Sequence, residues 1–335
     1  MNFGTRFMKV LTALIIVCVS LEALSWGYEG HRVIVQIAID FLSRSVSSKV
    51  VNKKMMKILN SDANGKPTGS KITPPMIASF ADDMRGNPNF DCIKMLHFVN
   101  IPPDVTDYQT YADKNPAGDA VTAVEALAKF MRSNDQADLD AVPAFTQLRV
   151  NVPIDQALAL KLFLHFFGDL YQPLHLGYPE DFGANTIEVK MFGQITNLHS
   201  IMDGILKPFL TDPTAYSKDL EREETTTTKK LSLRETLLQA VNDTLALRAT
   251  LYQFTEFETV TVKPAPGSDP NAPPITKQIP IIDDSYIARI RPLLEAQLIK
   301  GGLMLKHALR QIFDPEHTPG PNPYVPRKVT CERLF

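Results

Sequence analysis

The stretch LFLHFFGDLYQPLH, residues 162–175, sets two imidazoles and a carboxylate inside an otherwise apolar run. Apolar periodicity predicts a helix over residues 154–170, which Pro173 stops. Residues four apart share a helix face, so His165 and Asp169 point the same way. A fold that buries this run must also compensate its ionisable groups, because an unpaired charge is costly away from water. The demand recurs in NLHSIMD, where His199 and Asp203 are again four apart, flanked by Leu198, Ile201 and Met202, on a helix predicted over residues 197–209. A lone buried histidine is usually a hydrogen-bonded core residue, and a lone His–Asp pair is usually an ion pair. Two such pairs plus His175 call for a common compensation, and a divalent metal supplies one.

The donor types narrow the metal. Neutral imidazole and carboxylate suit zinc. Thiolates are nearly absent, with three cysteines in the chain, so a cysteine-type structural site is not indicated, and the HExxH protease pattern is missing. His31, His97, His165, His175 and His199 lie in apolar surroundings; His307 and His317, near the C-terminus, read as structural or surface residues. SFADDMR puts Asp82, Asp83 and Arg85 at a helix end, and MLHFVN follows with His97.

The rest of the chain reads as mainly helical, with further helices predicted over residues 30–42, 46–59, 117–132, 231–254 and 285–312 and short strands over 186–192 and 259–263. Residues 225–230 and 264–280 read as solvated loops. At 335 residues and 44% apolar content the chain can bury one large core or two modest ones. Its formal net charge of −2 and lack of a basic stripe do not suggest binding of long duplexes by counterion release, but a few local cations suffice for a small or single-stranded anion.

The first 25 residues read as a secretory signal peptide: Arg6 and Lys9, then an apolar run over residues 10–21, then Ala23, Leu24 and Ser25 as a small-x-small cleavage site. The run is short for a membrane span, so no anchor is expected. Cleavage after Ser25 would make Trp26, the only tryptophan, the first residue. Cys92 and Cys331 would remain, either as one disulfide across a long loop or as two free thiols. Asn242-Asp243-Thr244 is a glycosylation sequon.

In order along the chain, WGYEGH, ADDMR, LHFVNIP, HFFGDLYQPLH, DFGAN and NLHSIMD resemble the S1/P1 nuclease family, zinc-dependent single-strand nucleases that also act as 3′-nucleotidases. The resemblance spans Trp26 to about Phe209 and returns weakly at LIKGGLMLKHAL. It implies one all-α domain over residues 26–335, with the helical fold of phospholipase C and P1 nuclease and a cleft holding three zinc ions. By matching position, one zinc takes Asp82, His97 and His165, with Asp169 shared; a second takes the amine and carbonyl of Trp26, His31 and again Asp169; the third takes His175, His199 and Asp203. Asp82, Asp169 and Arg85 are the implied catalytic residues, Arg85 holding a phosphate oxygen. Phe98 and Asn185 are the implied substrate contacts, although Phe98 reads equally well as a core residue. The implied substrates are single-stranded DNA and RNA, cut to 5′-phosphate products, and 3′-nucleotides. A monomer with no stable protein partner is expected, in the secretory pathway and destined for an extracellular, periplasmic, lysosomal or vacuolar location.

Departures from the family pattern are Tyr171 for a usual His, Met202 for a Trp, Ala184 for a Gly, and Asn100 near a usual acidic residue. Two other functions fit the same ligands. In zinc phospholipases C the first His lies farther from the N-terminal Trp and the last carboxylate is Glu; here the spacing is five and the last is Asp203. A non-catalytic secreted zinc-binding protein has no need of Arg85 or of a base platform at Phe98.

Overall fold

A computed structural model describes residues 26–44, 46–62, 64–210, 212–221, 231–262 and 274–317. The predicted signal peptide, Cys331, residues 225–230 and most of 264–280 lie outside the described residues.

The described chain is mainly helical. In order it forms α1 (Gly27–Ser43), α2 (Val46–Leu59), α3 (Phe80–Asp83), α4 (Ala120–Ser133), α5 (Pro143–Arg149), α6 (Gln156–Asp169), α7 (Leu198–Gly204), α8 (Pro213–Glu221), α9 (Leu233–Leu251) and α10 (Asp284–Phe313). Two antiparallel pairs complete it, β1 (Glu188–Met191) with β2 (Gln194–Asn197), and β3 (Phe257–Val262) with β4 (Ile275–Pro280). Among the described residues no helix is long and apolar enough to cross a membrane.

The packing is organised around α1, which touches α2, α6, α8 and α10. Val33, Ile34, Val35, Ile37 and Ala38 are all buried, as expected of a helix surrounded by others. Close approach of α10 depends on the glycine pair in KGGL. A Cβ on Gly302 would lie 2.4 Å from Ile37 Cγ2, and one on Gly301 would lie 3.3 Å from the Tyr171 ring. α6 packs between α1 and α4, so its last turn ends in the middle of the molecule.

Local chemistry sets the element ends and explains where they differ from expectation. α4 starts at Ala120 rather than residue 117, because Gly118 is left-handed (φ 106°) and Asp119 caps the helix through Thr122 N–H. α7 stops at Gly204 instead of residue 209; Pro208 disfavours helical geometry in the residue before it, and only a 3-10 turn, Lys207–Phe209, follows. Residues 264–280 are not all loop: the last six form β4, paired with β3. Lys277 falls at the position where a period-two apolar pattern through Ile275 and Ile279 would need an apolar residue, so the strand is hard to recognise without its partner. The sequon at Asn242 sits within α9, half-buried, with its amide donating to Asp107 Oδ1 (3.2 Å) and its oxygen accepting from Tyr108 N–H (3.2 Å).

Candidate metal centre

The chain brings its candidate ligands together from six elements. α1 contributes His31, α3 Asp82, and the 3-10 helix Pro88–His97 contributes His97 at its end. The last turn of α6 contributes His165 and Asp169, the 3-10 turn Pro173–Leu176 contributes His175, and α7 contributes His199 and Asp203. All are buried except His199, whose side chain is 12% exposed. They form three sets whose donor atoms lie within 4.8 Å of one another: Asp82, His97 and His165; His31, His165 and Asp169; His175, His199 and Asp203.

Asp169 stands between these sets. Its Oδ2 is 3.1 Å from His97 Nδ1 and 3.4 Å from His165 Nε2, while its Oδ1 is 3.2 Å from His31 Nε2 and 3.4 Å from His175 Nδ1. Asp82 Oδ1 lies 3.7 Å from His165 Nε2 and 3.9 Å from His97 Nδ1. On the far side, His175 and His199 stack with ring centres 5.2 Å apart, and Asp203 faces both, at 3.9 and 3.4 Å. Trp26 caps α1 in a left-handed conformation (φ 45°), with its backbone nitrogen 3.2 Å from Asp203 Oδ1 and its indole N–H donating to Gly168 O (3.0 Å).

Backbone carbonyls orient three of the rings. His165 Nδ1 is 3.0 Å from Ala78 O, His175 Nδ1 is 2.8 Å from His97 O, and His199 Nδ1 is 2.7 Å from Gly183 O. A carbonyl oxygen only accepts, so each Nδ1 carries the proton and each Nε2 offers its lone pair to the cluster.

The cluster resists its own charges. Burial pushes the Asp82 carboxyl up to about 7, with the Arg85 guanidinium pulling the other way, and pushes Asp169 up to about 6. Burial also raises Asp203 and lowers His97, His165 and His175. Asp82 Oδ2 is buried and has no hydrogen-bond partner among the described residues. Neutral imidazoles, buried carboxylates and an unsatisfied carboxylate oxygen fit a divalent cation of the zinc type, and among the described residues no cysteine joins the three sets.

Above the cluster opens a cleft with a volume of about 470 Å3, lined by Arg85, Lys94, His97, Phe98, Asn100, His175, Phe182, Asn185 and His199 among others. Arg85 is exposed at its mouth, Nη2 2.8 Å from Asp82 Oδ1. Phe98 is half-buried on the wall, so it is not a core residue, and Asn185 is exposed with its amide donating to Phe182 O (2.8 Å). Phe182 was not singled out by its sequence position, yet it is 65% exposed and left-handed (φ 53°) in the same cleft. The available signal was an aromatic inside DFGAN, a stretch whose small residues suit a left-handed turn.

The departures find physical places. Tyr171 turns away from the cluster, its ring packing on Phe167 and against α10 at Gly301. Met202 is buried in the core. Ala184 is buried and left-handed (φ 66°), a conformation glycine adopts more cheaply. His307 is buried at the Leu231 carbonyl, 3.3 Å away, and is structural as expected.

The family profile described as S1/P1 Nuclease matches residues 26–314. The chain belongs to the S1/P1 nuclease family. S1/P1 enzymes are hydrolases that cut phosphodiester bonds and in general depend on zinc, so this chain is a hydrolase of that class. The chain is similar to Endonuclease 4 of Arabidopsis thaliana, 26% identical over 314 residues covering 88% of this chain and 92% of that protein. It is 29% identical to Endonuclease 3 of the same plant over 216 residues, 64% of this chain and 65% of the relative. Similarity to Nuclease P1 of Penicillium citrinum is 23% over 304 residues, 87% of this chain and 99% of the relative.

Proposed function

We propose that this protein is a secreted zinc-dependent endonuclease that hydrolyses single-stranded DNA and RNA to 5′-phosphate products and removes the phosphate of 3′-nucleotides. The observation that carries the reading is Asp169, whose two oxygens face different imidazoles at the floor of a cleft with Arg85 at its mouth. One carboxylate oriented in this way suits two neighbouring cations. The proposed holders are Asp82, His97 and His165 for one zinc, Trp26 and His31 for a second, with Asp169 between them, and His175, His199 and Asp203 for the third. Bound zinc supplies positive charge that polarises phosphate and acidifies water near neutral pH.

The chain's own residues do the rest. Arg85 offers a planar fork of N–H donors to the non-bridging oxygens of the scissile phosphate, which fixes its orientation over the cluster. Asp82 holds that fork at the cleft mouth before substrate arrives. The carbonyls of Ala78, His97 and Gly183 keep the His165, His175 and His199 rings from turning. Phe98 and Phe182 line the same cleft and offer aromatic surface on which a base can stack. Base–aromatic stacking contributes about 1–3 kcal/mol and tolerates any base. A base inside a duplex has its faces covered by its neighbours, whereas a base on a single strand does not, which favours single strands.

The test is zinc content and activity on one preparation, the chain beginning at Trp26. About three zincs with cleavage of single-stranded substrates to 5′-phosphate ends support the reading. Full zinc without hydrolysis of single-stranded DNA, RNA or a 3′-nucleotide overturns the activity; fewer than two zincs overturns the ligand assignment.

A further inference from the structure

The cleft wall bearing Phe182 and Asn185 is held from below by α9. Arg248 is buried, and its guanidinium joins two segments. Nη1 donates to the Ile101 and Leu176 carbonyls, the latter at 3.0 Å, and Nη2 donates to the Pro102 carbonyl at 2.7 Å. Its carbon sits 4.4 Å from the centre of the Tyr178 ring. The same two segments pair through Val99 N–H to His175 O (2.7 Å) and Ile101 N–H to Gly177 O (2.9 Å). One follows directly from His97 and Phe98, and the other runs from His175 into the turn at Phe182.

Four residues on, at the C-cap of α9, Tyr252 packs its ring 5.2 Å from Tyr178, and its hydroxyl donates to Asp181 Oδ2 (2.7 Å). The other oxygen of Asp181 accepts the Ala184 N–H (2.7 Å). Between those two residues the backbone does something expensive: Phe182, Gly183 and Ala184 are left-handed in succession (φ 53°, 64° and 66°). For a residue with a Cβ this costs about 1–2 kcal/mol, and it persists only where the surroundings enforce it. Asp181 and Tyr252 are the surroundings. Their hydrogen bonds keep the turn closed, and the closed turn leaves Phe182 exposed in the cleft and its carbonyl on the Asn185 amide.

We propose that Arg248 and Tyr252 are positioning residues for the nucleobase-contacting wall, holding Phe182 and Asn185 where a base is bound and thereby setting affinity for base-bearing substrates. This rests on the nuclease reading above. Neither residue lines the cleft, and their hydrogen bonds go to Ile101, Leu176, Pro102 and Asp181 and not to a proposed metal ligand, so their effect falls on binding of the base and not on turnover.

Tyr252→Phe isolates the brace, since it keeps the ring on Tyr178 and removes only the hydroxyl. KM and kcat would be measured for a 3′-mononucleotide and for the same sugar 3′-phosphate without its base, alongside zinc content and thermal unfolding. The expected result is a KM for the nucleotide about tenfold higher, the size of one lost hydrogen bond to a charged group. The kcat, the zinc content and the kinetics with the base-free substrate stay unchanged. Arg248→Lys keeps the charge but has one nitrogen where the guanidinium has two, so the Ile101, Leu176 and Pro102 carbonyls lose part of the fork, and it shifts KM the same way. Unchanged nucleotide KM in Tyr252→Phe, or equal losses on both substrates with loss of zinc, overturns the brace. A wild-type protein that hydrolyses neither substrate overturns the nuclease reading on which it rests.

Discussion

A Cβ on residue 168 would lie 2.7 Å from His31 Nδ1, so the approach of α1 to the last turn of α6 requires Gly168 to have no side chain. The same residue's carbonyl accepts the Trp26 indole N–H, which fixes the start of α1. Gly168→Ala is therefore expected to displace His31 from Asp169. It costs about 1–3 kcal/mol of stability, the range for overpacking a tight core, and lowers zinc uptake. Thermal unfolding with a metal count checks both, and a fully loaded, equally stable variant would refute the contact's role.

Asp169→Asn separates metal binding from folding. Burial raises the Asp169 carboxyl from 3.8 to about 6. In metal-free protein the folded state then binds more protons than the unfolded state between those values, so stability falls as pH rises through that window. Asn removes this penalty. Metal-free Asp169→Asn is expected to be at least as stable as metal-free wild type at pH 8 while holding fewer zincs and turning over no substrate. Denaturation curves at pH 5 and pH 8 test the sign; a variant less stable than wild type at pH 8 would count against it.

Those two residues also mark what the amino-acid sequence reveals and what it hides. The pairs His165–Asp169 and His199–Asp203 are legible because both members sit within one helix, where spacing alone sets direction. His31, Asp82 and His97 come from separate elements, and only their resemblance to family motifs placed them in one site. Phe182 stayed hidden because its exposure depends on successive left-handed residues held by Tyr252, a residue seventy positions away. β4 is hidden for a similar reason: six residues beside a proline-rich stretch become a strand only when β3 lies alongside.

Zinc uptake should release protons, and more of them in acid. Asp82 is pushed up to about 7 and Asp169 to about 6, so both carboxyls hold protons at pH 5.5 and have mostly lost them by pH 8. His97, His165 and His175 are pushed down by burial and contribute few. Calorimetric titration of metal-free protein with zinc, in buffers of different ionisation heat, reads the number released. A release that grows from pH 5.5 to pH 8 contradicts the assignment.

Arg85→Ala removes the fork at the cleft mouth without removing a proposed ligand. Loss of one preorganised contact to a reacting phosphate typically lowers turnover about a hundredfold. Arg85→Lys, with charge but no planar fork, should recover only part of the loss. Zinc content is expected to stay at the wild-type value in both. Single-turnover rates on a short single-stranded oligonucleotide decide it, and wild-type rates in the alanine variant would remove Arg85 from the reaction.

Removal of the residues before Trp26 should complete the metal centre. Trp26 is buried, left-handed, anchored by its indole to Gly168 and placed with its nitrogen 3.2 Å from Asp203 Oδ1. As a peptide amide that nitrogen has no lone pair to give a metal; as a free amine, with an unperturbed pKa of about 8, it does. Protein that retains residues upstream of Trp26 should therefore fold, since the indole anchor is unaffected, but hold less zinc and show little activity. Proteolytic trimming to Trp26 followed by zinc should restore both. Equal zinc content and activity before and after trimming would mean that the His31 set is completed by something other than the N-terminal amine.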